Sequence, residues 1–217
     1  MTLNLKQRLN YPTLGIHSTD NSFGFGYREH NNIQSDELFV KQFDNDLNNN
    51  LIVEFNEFIT KENLKKVNKI SVSIGPANFN ASRLIVVLAR TISQQINCPL
   101  ESFSSFELMA KRIASKNNIF TNKQSFWIYK KLKRKGFISG KYEICHNEEK
   151  NGDLLIRERV TPKVIKKLDS KEPFFEADYQ DEEDIKELLD LASKNLLNTK
   201  VYSWKKVLPL YLISPIN

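Results

Sequence analysis

Sulfur chemistry has little to work with in this chain: there are two cysteines, Cys98 and Cys145, in 217 residues. Neither sits in a C-x-x-C pair or a metal-spaced cluster, which excludes a disulfide framework and a cysteine zinc site. Free thiols in a reducing, cytoplasmic setting are expected. Histidine is as sparse, with His17, His30 and His146 scattered along the chain. No H-E-x-x-H, no G-x-S-x-G and no paired-carboxylate helix is present, which leaves the common hydrolytic chemistries without a nucleophile or a metal. Glu54 and Glu57 share a predicted helix, but they read as its solvent-facing positions. Long apolar runs are missing too. The opening "MTLNLKQRLNYP" has no apolar leader core, and no segment approaches the ~20 apolar residues that span a bilayer, so no membrane association is expected.

Glycine is scarce, and its positions matter more than its number. The seven are Gly15, Gly24, Gly26, Gly75, Gly136, Gly140 and Gly152, no two of them adjacent. A phosphate loop of the Gly-Gly type cannot be built from them. Gly24 and Gly26 fall on one face of a predicted strand while Phe23, Phe25 and Tyr27 fall on the other, so that one face is stripped of side chains and open to close approach.

What is present is an ordinary globular composition, 40% hydrophobic, 11% aromatic and 27% charged, with a formal charge of +6 that favours anionic partners. The length suits one sizeable core or two small ones. Period-2 and period-3.6 patterns predict strands over 13–18, 23–28 and 37–43, and a helix over 49–59. A strand over 70–74, a helix over 83–96, a strand over 99–103 and a helix over 106–114 follow. The order βββαβαβα is that of a ribonuclease-H-like unit. Beyond Lys116 the pattern weakens: strands over 125–130, 137–144 and 154–159 precede a helix led by "DEED" at 181–184. Acids at a helix start suit its macrodipole, and they read as that rather than as a metal site.

Between the strand at 70 and the next helix stands "IGPANFNASRL". A strand ending in glycine and then a helix N-terminus is an arrangement that cradles phosphate. Here Ala77 puts a methyl where close anion approach needs none, and "GPANFN" reads most simply as a strand-to-helix turn capped by Asn78 or Asn80.

These residues resemble the TsaB (YeaZ-like) family of the bacterial tRNA threonylcarbamoyladenosine biosynthesis complex, which carries G-P-G-S-F-T-G-L-R at this place. The chain matches at Gly75, Pro76, Phe79 and Arg83 and departs at Ala77, Asn78, Asn80 and Ala81. "LGIHST" resembles the family's opening strand L-A-I-D-T-S-T, with His17 where the acid stands. "INCPLESFSSFELMA" and "VLPLYLISP" resemble two later motifs. The resemblance is weak over 116–200, where the family's D-A-R motif is not recognisable around Thr121 to Lys123.

The resemblance implies an α/β fold of the actin-like, ribonuclease-H-like (ASKHA) type, mixed sheets with packed helices in two subdomains. They are expected over 1–110 and, smaller and divergent, over 111–217. It also implies a pseudoenzyme: a non-catalytic subunit that supports a TsaD-like catalytic partner in a heterodimer, with a TsaE-like ATPase in the same pathway and tRNA met indirectly. Self-association without the partner stays open. No cofactor, metal or catalytic residue is assigned. His17 cannot supply the hard anionic oxygen that Mg²⁺ prefers. The rival readings are an active ATP-binding ASKHA enzyme or peptidase, and a stand-alone RNA-binding module.

Two stretches remain. The helices over 49–59 and 83–96 are apolar on more than one side, so a second side is covered either by the C-terminal unit or by another protein. In TsaB-like proteins the corresponding helices pack on the equivalent pair of TsaD. The resemblance therefore implies a partner interface at Leu51, Phe55, Phe58, Arg83, Val86, Val87 and Arg90, with Leu84 and Leu88 facing the sheet and Val86 outward. "FWIYKKLKRKGF" at 126–137 interleaves aromatics with cations. It reads first as a half-buried hairpin with inward aromatics and a basic turn, and second as an RNA contact through Lys131, Lys133, Arg134 and Lys135.

Overall fold

The computed structural model describes residues 12–29, 36–43, 47–119, 121, 123–133, 136–146, 154–194 and 204–212. Arg134 and Lys135 of the basic stretch lie outside them, as does His30. Two sheets organise the rest. The first runs in the order β3-β2-β1-β4-β5, from β1 (Thr13–Ser18), β2 (Ser22–Arg28), β3 (Asp36–Gln42), β4 (Lys69–Ser73) and β5 (Leu100–Phe103). β1, β2 and β3 form an antiparallel meander, and β4 and β5 continue parallel to β1.

One face of this sheet carries Leu14, Ile16, Phe23, Phe25 and Tyr27, all buried. Against it pack α1 (Leu47–Phe58) and α3 (Phe79–Ile96), with the short α2 (Lys61–Lys66) between them in sequence. Phe25 meets Phe55 edge-on, ring centroids 5.3 Å apart, and Phe58 at 5.6 Å. The helix expected from Arg83 begins four residues earlier, because the Asn78 side chain accepts from the amides of Asn80 and Ala81 and supplies the cap.

The stripped face of the sheet receives α5 (Asp181–Lys194), a helix from the far end of the chain. A Cβ on Gly26 would meet Ile185 Cγ2 at 2.5 Å, and one on Gly24 would meet Ile185 Cδ1 at 2.6 Å. The glycines are therefore the clearance that lets Ile185, Leu188 and Leu189 seat directly on the backbone of β1 and β2.

The second sheet runs β8-β7-β6-β9, from β6 (Ser125–Leu132), β7 (Gly136–His146), β8 (Leu154–Ile165) and β9 (Phe174–Glu176). Its order repeats that of the first sheet's 3-2-1-4 strands, with β6 parallel to β9 and antiparallel to β7. Among the described residues, β9, α2 and a 3-10 turn at Trp204–Lys206 were not anticipated from the sequence, all being too short to show a period. Helix α4 (Ser105–Lys116) packs Phe106, Met109, Ala110 and Ile113 onto the inner side of this sheet. Helices α4 and α5 thus form a middle layer between the two sheets, joined through Leu108 and Leu188. Residue 110 lies inside α4.

Candidate functional site

His17 stands one residue before the end of β1, and in an ATP clamp of this architecture the phosphate-facing seam would open beside it. Its side chain is fully buried, 4.0 Å from Asp184 of α5. Asp184 is also buried and accepts from Arg112 of α4 at 2.7 Å and from the Gln180 amide at 3.1 Å. Burial, with Arg112 adding to it, holds the imidazole down at about 3. Burial pushes the Asp184 carboxyl up to about 6 against the pull of Arg112. At neutral pH a neutral imidazole therefore faces a carboxylate already taken by a guanidinium. Among the described residues neither ring nitrogen of His17 has a hydrogen-bond partner.

The rest of the seam is stitched shut by the chain itself. Ser22 donates to Asp181 at 2.7 Å, which ties the first hairpin to the start of α5. Lys130 of β6 pairs with Asp20 of that hairpin and lies 5.2 Å from the centre of the Tyr179 ring. Tyr179 donates its phenol hydrogen to the Pro76 carbonyl at 2.7 Å. Three of the four "DEED" acids' neighbours are thus protein groups, and the run serves as a helix start as its sequence implied.

The "GPAN" turn is equally occupied. Gly75 has φ +99°, a left-handed conformation that favours glycine, and it precedes a cis bond to Pro76. The Gly75 carbonyl accepts from the Ser105 amide at 2.7 Å, and the Asn78 amide donates to the Thr19 carbonyl at 3.3 Å. The Asn78 side chain takes the amides of Asn80 and Ala81 at 3.0 and 3.2 Å, and its carbonyl takes that of Ser82. The amides that would cradle a phosphate at the start of α3 are already engaged by this asparagine.

The proposed partner residues separate into two groups. Leu51, Phe55 and Val86 are 3%, 4% and 1% exposed and belong to the chain's own core; this corrects their placement on an outer surface. The expectation that Val86 faces outward takes Leu84 and Leu88 as marking the sheet side. The true buried arc runs over Ala81, Ser82, Ile85, Val86, Leu88, Ala89, Ile92 and Ser93. Two serines hid it: small enough to let the helix approach the sheet, they read as polar, although Ser93 donates to the Cys98 carbonyl at 2.6 Å. Leu84 is half-buried, and so is Phe58. Val87 is 52% exposed, and Arg83 is exposed beside it. Arg90 lies over the Trp204 ring, 5.6 Å from its centre. On α1 the outward residues are Ile52 and Val53, 51% and 54% exposed.

The basic stretch departs from expectation as well. Of its aromatics only Phe126 faces the core; Trp127, Tyr129 and Phe137 are half-buried on the opposite face of the sheet. Lys131 and Lys133 are exposed.

Strand order, the paired sheets and the helical layer between them define an actin-like, ribonuclease-H-like α/β fold. Within that class the chain is similar to YeaZ of Pseudomonas aeruginosa, at a TM-score of 0.64 and 13% identity over 93% of this chain and 100% of that one. A second Pseudomonas aeruginosa structure, described as an uncharacterized protein with similarity to peptidase YeaZ, gives a TM-score of 0.69 at 11% identity, over 94% of this chain and 100% of the other. The sequence matches no family model and no curated protein. No helix among the described residues is long and apolar enough to cross a membrane.

Proposed function

We propose that this chain is a non-catalytic subunit of the TsaB type, which binds and positions a TsaD-like catalytic partner during threonylcarbamoyl transfer to the tRNA adenosine next to the anticodon. The observation that carries the reading is the outer helical face. Ile52, Val53 and Val87 each leave about half of an aliphatic side chain in water, on two helices that pack on the same side of the same sheet. Leu208 and Tyr211 are 54% and 58% exposed on the segment that runs beside α3, where Tyr211 meets Phe79 at 5.6 Å. Large aliphatic groups exposed together on neighbouring elements are what a helix-pair interface buries.

The likeness to YeaZ supports the reading at the level of fold, and the self-filled seam supports a role without nucleotide chemistry of its own. A TsaE-like ATPase would act on the partner, and tRNA would be held mainly by the partner. Calorimetric titration of the full chain with a TsaD-like subunit tests the proposal. A saturable complex, together with loss of tRNA modification when this chain is left out of a reconstituted reaction, is the expected result. Full modification without it would refute the role.

A further inference from the structure

The second sheet has one side packed by a helix and one helix-free, open side, which the segment between β8 and β9 meets at Glu172, where the carboxylate accepts from Trp127 Nε1 at 2.8 Å and from Lys141. Its covered side holds Phe126, Ile128, Ile138, Tyr142 and Ile144 against α4. The strand register puts Trp127 beside Lys141 and Phe174 on the other side, and places Lys131 beside Phe137 there. The described helices all pack elsewhere: α4 on the covered side, the others on the first sheet.

Two aromatic pairs lie on this open side. Trp127 and Phe174 are stacked, centroids 5.8 Å apart with planes at 22°, and Tyr129 and Phe137 meet edge-on at 5.8 Å. All four rings are half-buried, in contrast to the sealed Phe126 one residue away. Around them the cations outnumber what the acids neutralise. Lys141 is held by Glu172 and Arg159 by Glu143, both at 2.5 Å. Lys131 and Lys163 are exposed, and no ion pair engages them among the described residues; Arg157 is exposed on the same face opposite Glu143, and the exposed Glu176 stands there opposite Tyr129.

We infer that the open face of the β8-β7-β6-β9 sheet binds single-stranded RNA, stacking unpaired bases on its two aromatic pairs and holding phosphates with Lys131, Lys163 and Arg157. Flat rings interleaved with cations in excess of the acids complement a chain that is itself flat rings interleaved with phosphates. A four-stranded sheet can stack only bases already out of a helix, so duplex is excluded. The choice of RNA over DNA rests on the tRNA role proposed above; the aromatic and cationic face does not.

The chain has two tryptophans, so in a Trp204→Phe background Trp127 is the sole tryptophan and reports on the face directly. Titration with an unstructured 12-nucleotide RNA should quench its emission, while a duplex of the same sequence should not. Lys131→Glu with Lys163→Glu replaces exposed side chains and should leave the melting temperature unchanged. It should weaken RNA binding at least tenfold and flatten the log–log salt slope by about 1.4, the loss of two single-strand phosphate contacts. Trp127→Ala should weaken binding about tenfold or more. Absence of quenching, equal binding of duplex, or an unchanged affinity in the charge variant would overturn the inference. So would loss of TsaD-like partner binding or of self-association in that variant with RNA affinity intact, since the face would then be a protein interface. Val87→Glu, on the opposite side of the molecule's layers, should leave RNA binding untouched, so failure of the helical-face proposal is distinguishable from failure of this one.

Discussion

The phenol of Tyr179 donates to the Pro76 carbonyl at 2.7 Å, across 103 positions of sequence. The turn that looks in sequence like half of a phosphate site is thereby held by a residue just ahead of α5. The same short stretch supplies Asp181 to Ser22 and Asp184 to Arg112. Closure of the seam is a property of the chain's own packing. Tyr179→Phe should cost about 1–2 kcal/mol, since it strands a part-buried carbonyl, and should lower the melting temperature by roughly 2–8 °C. Thermal melting of the two proteins side by side checks it.

Mg²⁺-ATP should not bind the purified chain at ordinary concentrations, because His17 brings no anionic oxygen and the α3 amides are taken by Asn78. Restoring an acid by His17→Asp should not create binding, and it should destabilise the fold by placing a second buried carboxylate beside Asp184. Calorimetry reads the first outcome and melting the second; nucleotide turnover by the variant would contradict the closed-seam account.

Gly26→Ala should destabilise by about 1–3 kcal/mol, because its methyl would meet Ile185 and Leu189 at 2.5 and 3.0 Å. Combined with Ile185→Ala, which removes the obstruction, the cost should be clearly less than the sum of the single changes. A double-mutant cycle by urea unfolding measures the difference.

Stability should fall between pH 6.5 and 8 through one carboxyl. Burial, with Glu158 and Glu187 nearby, pushes Glu107 up to about 8 from the 4.5 of an exposed group. Its folded pKa lies above its unfolded one, so the folded state holds more protons across that interval and loses stability as pH rises. Asp184, raised to about 6, acts in the same direction at lower pH, and His17, lowered to about 3, acts oppositely below 6.5. Glu107→Gln should flatten the profile above 6.5 and raise the melting temperature at pH 8.5 by a few degrees, on the order of 1 kcal/mol. An unchanged slope would mean that Glu107 ionises without cost.

Much of the architecture was legible because its elements are long and strongly periodic. β1 was bounded to the residue by its turn chemistry, and Gly24 and Gly26 announced a close approach. What approaches them, Ile185 and Leu189 from 159 or more positions away in the chain, could not be read, because sequence patterning carries faces but not partners. The outer helical face was misread at single residues for a related reason. Hydrophobicity marks what can be buried, and Leu51, Phe55 and Val86 were buried by the chain's own sheet before any partner could claim them. The exposed Ile52, Val53 and Val87 are chemically the same kind of residue, and only the helix phase separates the two sets. In the second sheet, alternation identified β6 correctly but not which of its two faces α4 would cover.

The central claim is that the outer face of α1 and α3 serves a partner while the layer beneath it serves the fold, and paired substitutions at adjacent positions test it most directly. Val87→Glu should melt within a degree or two of the parent and should lose TsaD-like binding by two or more decades, an unpaired charge in an interface costing on the order of 3–5 kcal/mol. Val86→Glu, at a position 1% exposed, should instead fail to fold or melt far lower, through a carboxylate buried in the core. The measurement is partner affinity by titration of Val87→Glu, with its melting curve as control. A folded Val87→Glu protein that binds the partner with parental affinity would contradict the account.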